Sequence, residues 1–216
     1  MISGPWIDSM VLSHPMRLYN QHSLSWTHPY SRPDVDEDAT LSIAGCGIFA
    51  LCHLGQWLTG NLFVPDVLAD FSVSCGGRTN DGTDRPALLR AMAEHGLSEH
   101  YGFLSESDCL ENDKELLWEH MNRGGCALCN LRVGHIVALV AAREKNRKQE
   151  YLVIDSYAES CDPRVMQAVT ETEETSLVHW PLRNAQKVTT GIQSGYLVYW
   201  VSASLPKDYN RLVPIT

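Results

Sequence analysis

The sequence of 216 residues predicts an α+β fold, with helices in its first half and an antiparallel sheet in its second. Two observations carry this. The stretch LSIAGCGIFALCHLGQWLTG, residues 41–60, sets Cys46 between two glycines at the start of a run that is apolar around most of a helical circumference. After Gly124 the pattern changes from helical spacing to short runs rich in Val, Ile, Leu and Tyr.

The first helix is expected from about Cys46 to Leu58, with Ile48, Phe49, Leu51, Cys52, Leu54, Trp57 and Leu58 covering most of its surface. Gly60 stops it. A helix that is apolar nearly all round belongs at the centre of a fold. A second helix, DRPALLRAMAEHGL, has Pro86 near its first turn, ends at Gly96 and carries Leu88, Leu89, Met92 and Ala93 on one face. A third, with a weaker pattern, spans roughly Asp113 to Asn122. Strands are expected at 126–131, 134–142, 149–155, 176–180 and 195–202. No repeat or low-complexity linker interrupts them, and the length suits one domain against a guide of roughly 150 residues each.

The net charge of −9, with no stripe of Lys or Arg, argues against a nucleic-acid partner or an anionic membrane face. The N-terminus lacks the features of a secretory signal, and no stretch reaches the ~18 apolar residues of a membrane span. A soluble, cytoplasmic protein is expected, with export without a cleaved signal as the other route. Seven cysteines in a chain of this size do not suggest a disulfide framework, so reduced thiols are expected. Cys126 and Cys129 invite a zinc reading, but no second pair or closely spaced His partner accompanies them. Their segment, CALCNLRVGHIVALVAA, reads as buried strand, where positions three apart point to opposite faces.

The polar stretch REKNRKQE, 143–150, surrounds a turn centred near Lys145 and folds two strands into an antiparallel hairpin. If 141 and 149 are opposite, paired numbers sum to 290, and His135 faces Asp155. Opposed Cβ atoms lie about 4.5–5.5 Å apart, so an imidazole can meet a carboxylate there. An incidental surface pair is the plainer reading, and a slip of one residue would separate the two. Both residues nonetheless end apolar runs, as suits a site at a sheet's edge.

Cys46 has a plain reading too, as a small buried hydrophobe. At a helix N-terminus, however, a thiol meets unsatisfied N–H groups and the positive end of the dipole, which lower its pKa. A histidine oriented by a carboxylate completes a thiolate–imidazolium pair. The flanking glycines would let the backbone come close to a substrate carbonyl. Cys46, His135 and Asp155 thus supply nucleophile, general base and orienter.

These segments resemble the papain-like cysteine peptidases typified by the double-glycine leader peptidase domains of bacteriocin-exporting transporters, and more closely their free-standing bacterial relatives. The resemblance lies in YNQHSLSWTHPY, TLSIAGCGIFALCHLGQWLTGNLFVPDVLADF, DGTDRPALLRAMAEHGL, GHIVALVAA and YLVIDSY. It covers roughly 19–202, leaving an N-terminal extension at 1–18 and a C-terminal tail at 203–216. It implies a papain-like fold in which the helix of Cys46 packs on the sheet, with the same three residues as the triad. It further implies that Gln21 completes the oxyanion hole with the Cys46 backbone N–H. Gln56, on the helix, is the other glutamine open to that part.

The family usually has Pro-Thr after Cys-Gly, where this chain has Ile48-Phe49, and commonly Asp-Pro where it has Asp155-Ser156. A bulkier Phe49 would reshape the cleft. No nucleotide-binding loop is present, so neither transporter coupling nor a double-glycine substrate is implied. The expected function is hydrolysis of peptide or related amide bonds through an acyl-thioenzyme, with a peptide or protein substrate and without metal or cofactor. Transglutamination or deamidation by the same triad, and a catalytically silent peptide-binding module, remain the alternatives. A structural zinc protein is a more distant one. His53 is read as a packing residue, Trp26 and Trp57 as core or cleft wall, and the acidic run 34–38 as a solvated loop. Asp81-Gly82-Thr83 is a loop without an assigned role.

Overall fold

The structure, a computed structural model, describes residues 19–21, 26–32, 38–80, 82–95, 110–131, 135–156, 198–202 and 209–215. The N-terminal extension, the strand expected at 176–180, residues 34–37, Cys109 and Cys161 lie outside the described residues. Helices precede the main sheet, in α+β order. They are α1 (Leu41–Ala44), α2 (Cys46–Thr59), α3 (Pro65–Ser74), α4 (Arg85–Glu94) and α5 (Leu110–Asn122). A two-stranded ribbon, β1 (Arg78–Thr79) and β2 (Gly82–Thr83), sits between α3 and α4.

The central helix forms where the apolar run predicts it. All residues from Gly47 to Gln56 are buried, and Gly60 closes the helix in the left-handed region at φ 73°, its N–H bonded to the Gln56 carbonyl. Asp84 caps α4 by accepting the Ala87 N–H at 3.1 Å, with Pro86 in the first turn. The sequence reading missed α3, although Pro65 at its start and Asp66 in its first turn are both start signals. Its exposed Val67 and Val73 blur the apolar period.

The main sheet is antiparallel, in the order β6-β5-β4-β3-β7. Its strands are β3 (Cys126–Leu131), β4 (His135–Lys145), β5 (Lys148–Ile154), β6 (Val198–Ser202) and β7 (Tyr209–Ile215). The last strand corrects the sequence reading, which put 203–216 in a tail: β7 pairs with β3 at the sheet edge. Its sequence, YNRLVPI, lacks the alternation of a typical strand, and Pro214 is tolerated there because an edge strand needs only half of its ladder bonds.

The hairpin needs a second correction. Strands β4 and β5 run on to Lys145 and Lys148, and the turn is the two-residue pair Asn146-Arg147, both at positive φ (52° and 62°). Paired numbers sum to 293 beside the turn, as in Ala142↔Tyr151, and to 292 beyond a register shift between Leu139 and Ala141, as in Ala138↔Ile154. The extra residue, Val140, is a bulge on β4.

Helix α2 lies on the sheet. Ile48, Phe49, Leu51 and Leu54, all fully buried, share one core with Leu128, Ala138, Val140, Leu152 and Ile154. Full burial of each such large side chain contributes about 1.5–3 kcal/mol. The ribbon strand β2 approaches α2 so closely that a Cβ on Gly47 would sit 2.6 Å from the Thr83 Cβ and 2.7 Å from its Oγ1. Gly47→Ala is therefore expected to lose about 1–3 kcal/mol of stability, read as a lower urea midpoint at unchanged m-value. An unchanged midpoint would mean that β2 retreats freely.

Candidate functional site

Cys46 is the first residue of α2 and is partly exposed, whereas Cys52, Cys126 and Cys129 are buried. The reason for its position is a break in the helical ladder. Gly45 donates to the Leu41 carbonyl at 2.9 Å, ending α1, and Phe49 donates to the Gly45 carbonyl at 2.9 Å, beginning α2. Among the described residues no backbone bond joins the Cys46 N–H to the Ser42 carbonyl, its partner in an unbroken helix. The amino end of α2 therefore keeps free donors next to the thiol.

Burial opposes ionisation of Cys46, but the hydrogen bond and charge of His135 and the N–H groups of Ile136 and Gly47 outweigh it, and its pKa is lowered. The other described thiols of α2 and β3 behave oppositely. Burial pushes Cys52 up, Cys126 up to about 12 and Cys129 well up. Cys126 belongs to the core beneath α2 while Cys129 does not, as alternation along β3 requires.

His135 begins β4, and Asp155 follows the last residue of β5. Both are buried, and Nε2 of the ring meets the carboxylate Oδ1 at 2.7 Å. The sequence reading joins the same two residues through a register that the structure does not have. What brings them together is the bulge. With a sum of 293 the two positions would fall on opposite sides of the ladder; the even sum beyond Val140 returns them to one side, as diagonal neighbours. Burial disfavours a proton on His135, but the charge and hydrogen bond of Asp155, with the Cys46 thiol, outweigh it and raise the pKa to about 10. With Nε2 on the carboxylate, the nitrogen left for the thiol is Nδ1.

Gln21 is buried and ties the ends of these elements together. Its backbone N–H donates to the Ser156 carbonyl at 2.7 Å, its Oε1 accepts from the Ser156 hydroxyl at 3.1 Å, and its Nε2 donates to the Ser42 carbonyl at 3.2 Å. Gln56 lies ten residues along α2 from Cys46, about 15 Å at the helical rise, with its amide on the Cys52 carbonyl. Only Gln21 adjoins the amino end of α2.

The segment carrying Gln21 is anchored by aromatic packing. Tyr19 stacks on His53, 5.7 Å between ring centres, and its N–H donates to His53 Nε2 at 2.9 Å. Trp26 donates to the Asn20 carbonyl at 2.8 Å and packs edge-on against Phe49, which also meets Tyr19. Phe49 is fully buried and so supports this segment rather than lining a cleft. His53 is a packing residue, as expected; burial depresses its pKa to about 3 even though the Asp155 charge pulls the other way, so it stays neutral. Trp57 packs on the core.

The glycines beside Cys46 have a different cause from the one expected. A Cβ on Gly45 would meet the Leu41 carbonyl oxygen at 2.4 Å, and Gly47 is pressed by Thr83. Both admit neighbouring protein. Thr83, left without a role by sequence, is held by the buried Tyr30 hydroxyl at 2.8 Å, which also bonds Ser72 at 3.0 Å. Ser42, Tyr30 and Ser156 were also missed, since contacts that bridge distant segments leave no local spacing to read. Among the described residues no cluster of three or more His, Cys, Asp or Glu side chains is arranged to hold a metal, and no helix is long and apolar enough to cross a membrane.

Comparison of the chain with protein-family models and with curated protein sequences finds no match to either.

The lowered thiol makes a direct prediction. Brief treatment with limiting iodoacetamide at about pH 6 should label Cys46 ahead of Cys75, the other partly exposed thiol among the described residues, as read by mass spectrometry of tryptic peptides. His135→Ala should erase that preference, because the imidazolium no longer stabilises the anion. Labelling of Cys75 first, with Cys46 insensitive to His135, would show an inert packed thiol.

Proposed function

We propose that the chain is a papain-like cysteine peptidase or a related amide hydrolase, acting on a peptide or protein. The observation that carries this reading is a buried carboxylate on one imidazole nitrogen, together with a thiol at the start of α2 whose pKa the same imidazole lowers. Helices ahead of an antiparallel sheet, with the cysteine opening the central helix, also suit such a fold.

In this reading the Cys46 thiolate attacks the substrate carbonyl carbon. A C–S bond forms, and the carbonyl π electrons move to oxygen, where the Cys46 N–H and the Gln21 amide receive the developing charge. Collapse breaks the C–N bond, and the departing amine takes its proton from His135 Nδ1. Water then gives a proton to the same nitrogen as its oxygen attacks the thioester, the thiolate leaves, and the acid product departs. Asp155 holds the ring throughout and stabilises its charged form. None of these steps calls for a metal or cofactor. An amine in place of water gives transamidation, and a glutamine side chain as substrate gives deamidation. The lowered thiol pKa counts against a silent binding module, which has no need of a thiolate.

The deciding experiment profiles peptides released from a denatured proteome by wild type and by Cys46→Ala. Cleavages present only with wild type, ending at a shared sequence pattern, are expected. Identical profiles, with Cys46 still reactive, would exclude peptide hydrolysis.

The pH dependence follows from the two shifts. The reactive pair exists above the Cys46 pKa, which is lowered, and below that of His135, which is raised to about 10. As pH rises, kcat/KM should climb through a limb below the ~8.5 of a free thiol and fall through one well above the ~6.5 of a free histidine. A rise centred at an ordinary thiol pKa would show that the pair does not form.

A further inference from the structure

The carboxamide of Gln21 has two ends, and only one can help an oxyanion. Its orientation is fixed by the Ser42 carbonyl and completed by the Ser156 hydroxyl. The Ser42 carbonyl can only accept, so it faces Nε2; the oxygen Oε1 can only accept, so the Ser156 hydroxyl beside it donates. Gln21 and Ser156 are each 1 % exposed, so no bulk water substitutes for either contact.

We infer that Ser156 is a positioning residue for the oxyanion site, its hydroxyl anchoring Oε1 so that the NH₂ group, which the Ser42 carbonyl selects, stays turned toward the amino end of α2. The inference rests on the reading of Gln21 as an oxyanion donor. One of the two Nε2 hydrogens goes to Ser42, four residues before Cys46, and the other is the donor used in the reaction. Without the hydroxyl, Oε1 is buried with no donor, and the bond from Nε2 to the Ser42 carbonyl is left to hold the carboxamide alone. An amide that swings about that one bond holds its second N–H less firmly toward the developing negative charge. Ser156 also follows Asp155 directly, so one short segment beyond β5 orients the imidazole through one residue and the amide through the next.

Two small probes separate this role from a general effect on the thiol. With p-nitrophenyl acetate the Cys46 thiolate attacks the acetyl carbon, an oxyanion forms, the C–O bond breaks, and p-nitrophenolate leaves with the electron pair. With iodoacetamide the thiolate attacks the methylene carbon and iodide leaves; no oxyanion forms. Ser156→Ala should slow acetylation of Cys46 about tenfold, the usual effect of one hydrogen bond, and leave its alkylation rate unchanged. Ser156→Thr, which keeps the hydroxyl, should restore acetylation. Gln21→Ala should slow acetylation by about 10²-fold or more, and adding Ser156→Ala to it should cost nothing further. If Ser156→Ala fails to fold, Ser156→Cys takes its place, nearly isosteric but a weak donor. Acetylation at the wild-type rate in the Ser156 variant, equal slowing of both reactions, or losses that multiply in the double variant would each overturn the inference while the peptidase reading stands. Wild-type Cys46 that alkylates but does not acetylate would overturn both.

Discussion

An unbroken helix from Leu41 to Thr59 would commit the Cys46 N–H to the Ser42 carbonyl and place the thiol in mid-helix. The interruption at Gly45 prevents this. The Leu41 carbonyl occupies the space a Cβ at position 45 would need, so only glycine closes α1 in this way and lets α2 begin one residue later. The consequences converge on one point. The Cys46 N–H is released, the Gly47 N–H turns to the sulfur, and the vacated Ser42 carbonyl is taken by Gln21 Nε2. The two groups proposed to share an oxyanion are thus alternative claimants to the same carbonyl.

The other half of the site depends on a single inserted residue. Val140 changes the parity of the β4–β5 ladder, and with it the side of the sheet on which Asp155 emerges relative to His135. The resulting pair is buried, at 1 % and 5 % side-chain exposure, and burial of charge is costly unless the partners are close and well aligned. A contact of 2.7 Å meets that condition. His53, also buried and within reach of the Asp155 field, remains neutral, so the imidazole of His135 is the one that carries the charge.

The sequence shows some of this far better than the rest. The apolar circumference of α2, its start at Cys46 and its end at Gly60 are legible because each is a local pattern with a local cause. His135 and Asp155 were paired correctly, yet by an arithmetic that placed the turn at Lys145 rather than Asn146-Arg147 and allowed no bulge. Two errors of register left the parity even. A bulge is set by packing across the sheet, which hydrophobic alternation does not record. Strand β7 was invisible for a related reason: an edge strand with Pro214 and polar residues is specified by its distant partner β3, Cys126–Leu131, more than by its own composition. Gln21 was found through resemblance alone, since nothing in Gln-His-Ser announces a carboxamide held between residues 42 and 156.

Those long-range contacts explain how a short loop segment can hold a side chain firmly. Residues 19–21 contribute no helix or strand, so their geometry must come from what they touch. Toward α2 they are held by His53 and by the rings of Phe49 and Trp26; toward β5 they are held by both the carbonyl and the hydroxyl of Ser156. The segment therefore takes its reference from the same two elements that carry Cys46 and orient His135. A shift of α2 against the sheet would displace Cys46 from His135 and the Gln21 amide only if the shared core between Ile48, Phe49, Leu128 and Ile154 yielded first, and close-packed interiors of that kind resist such sliding. The packing of α2 on the sheet is in this sense part of the site.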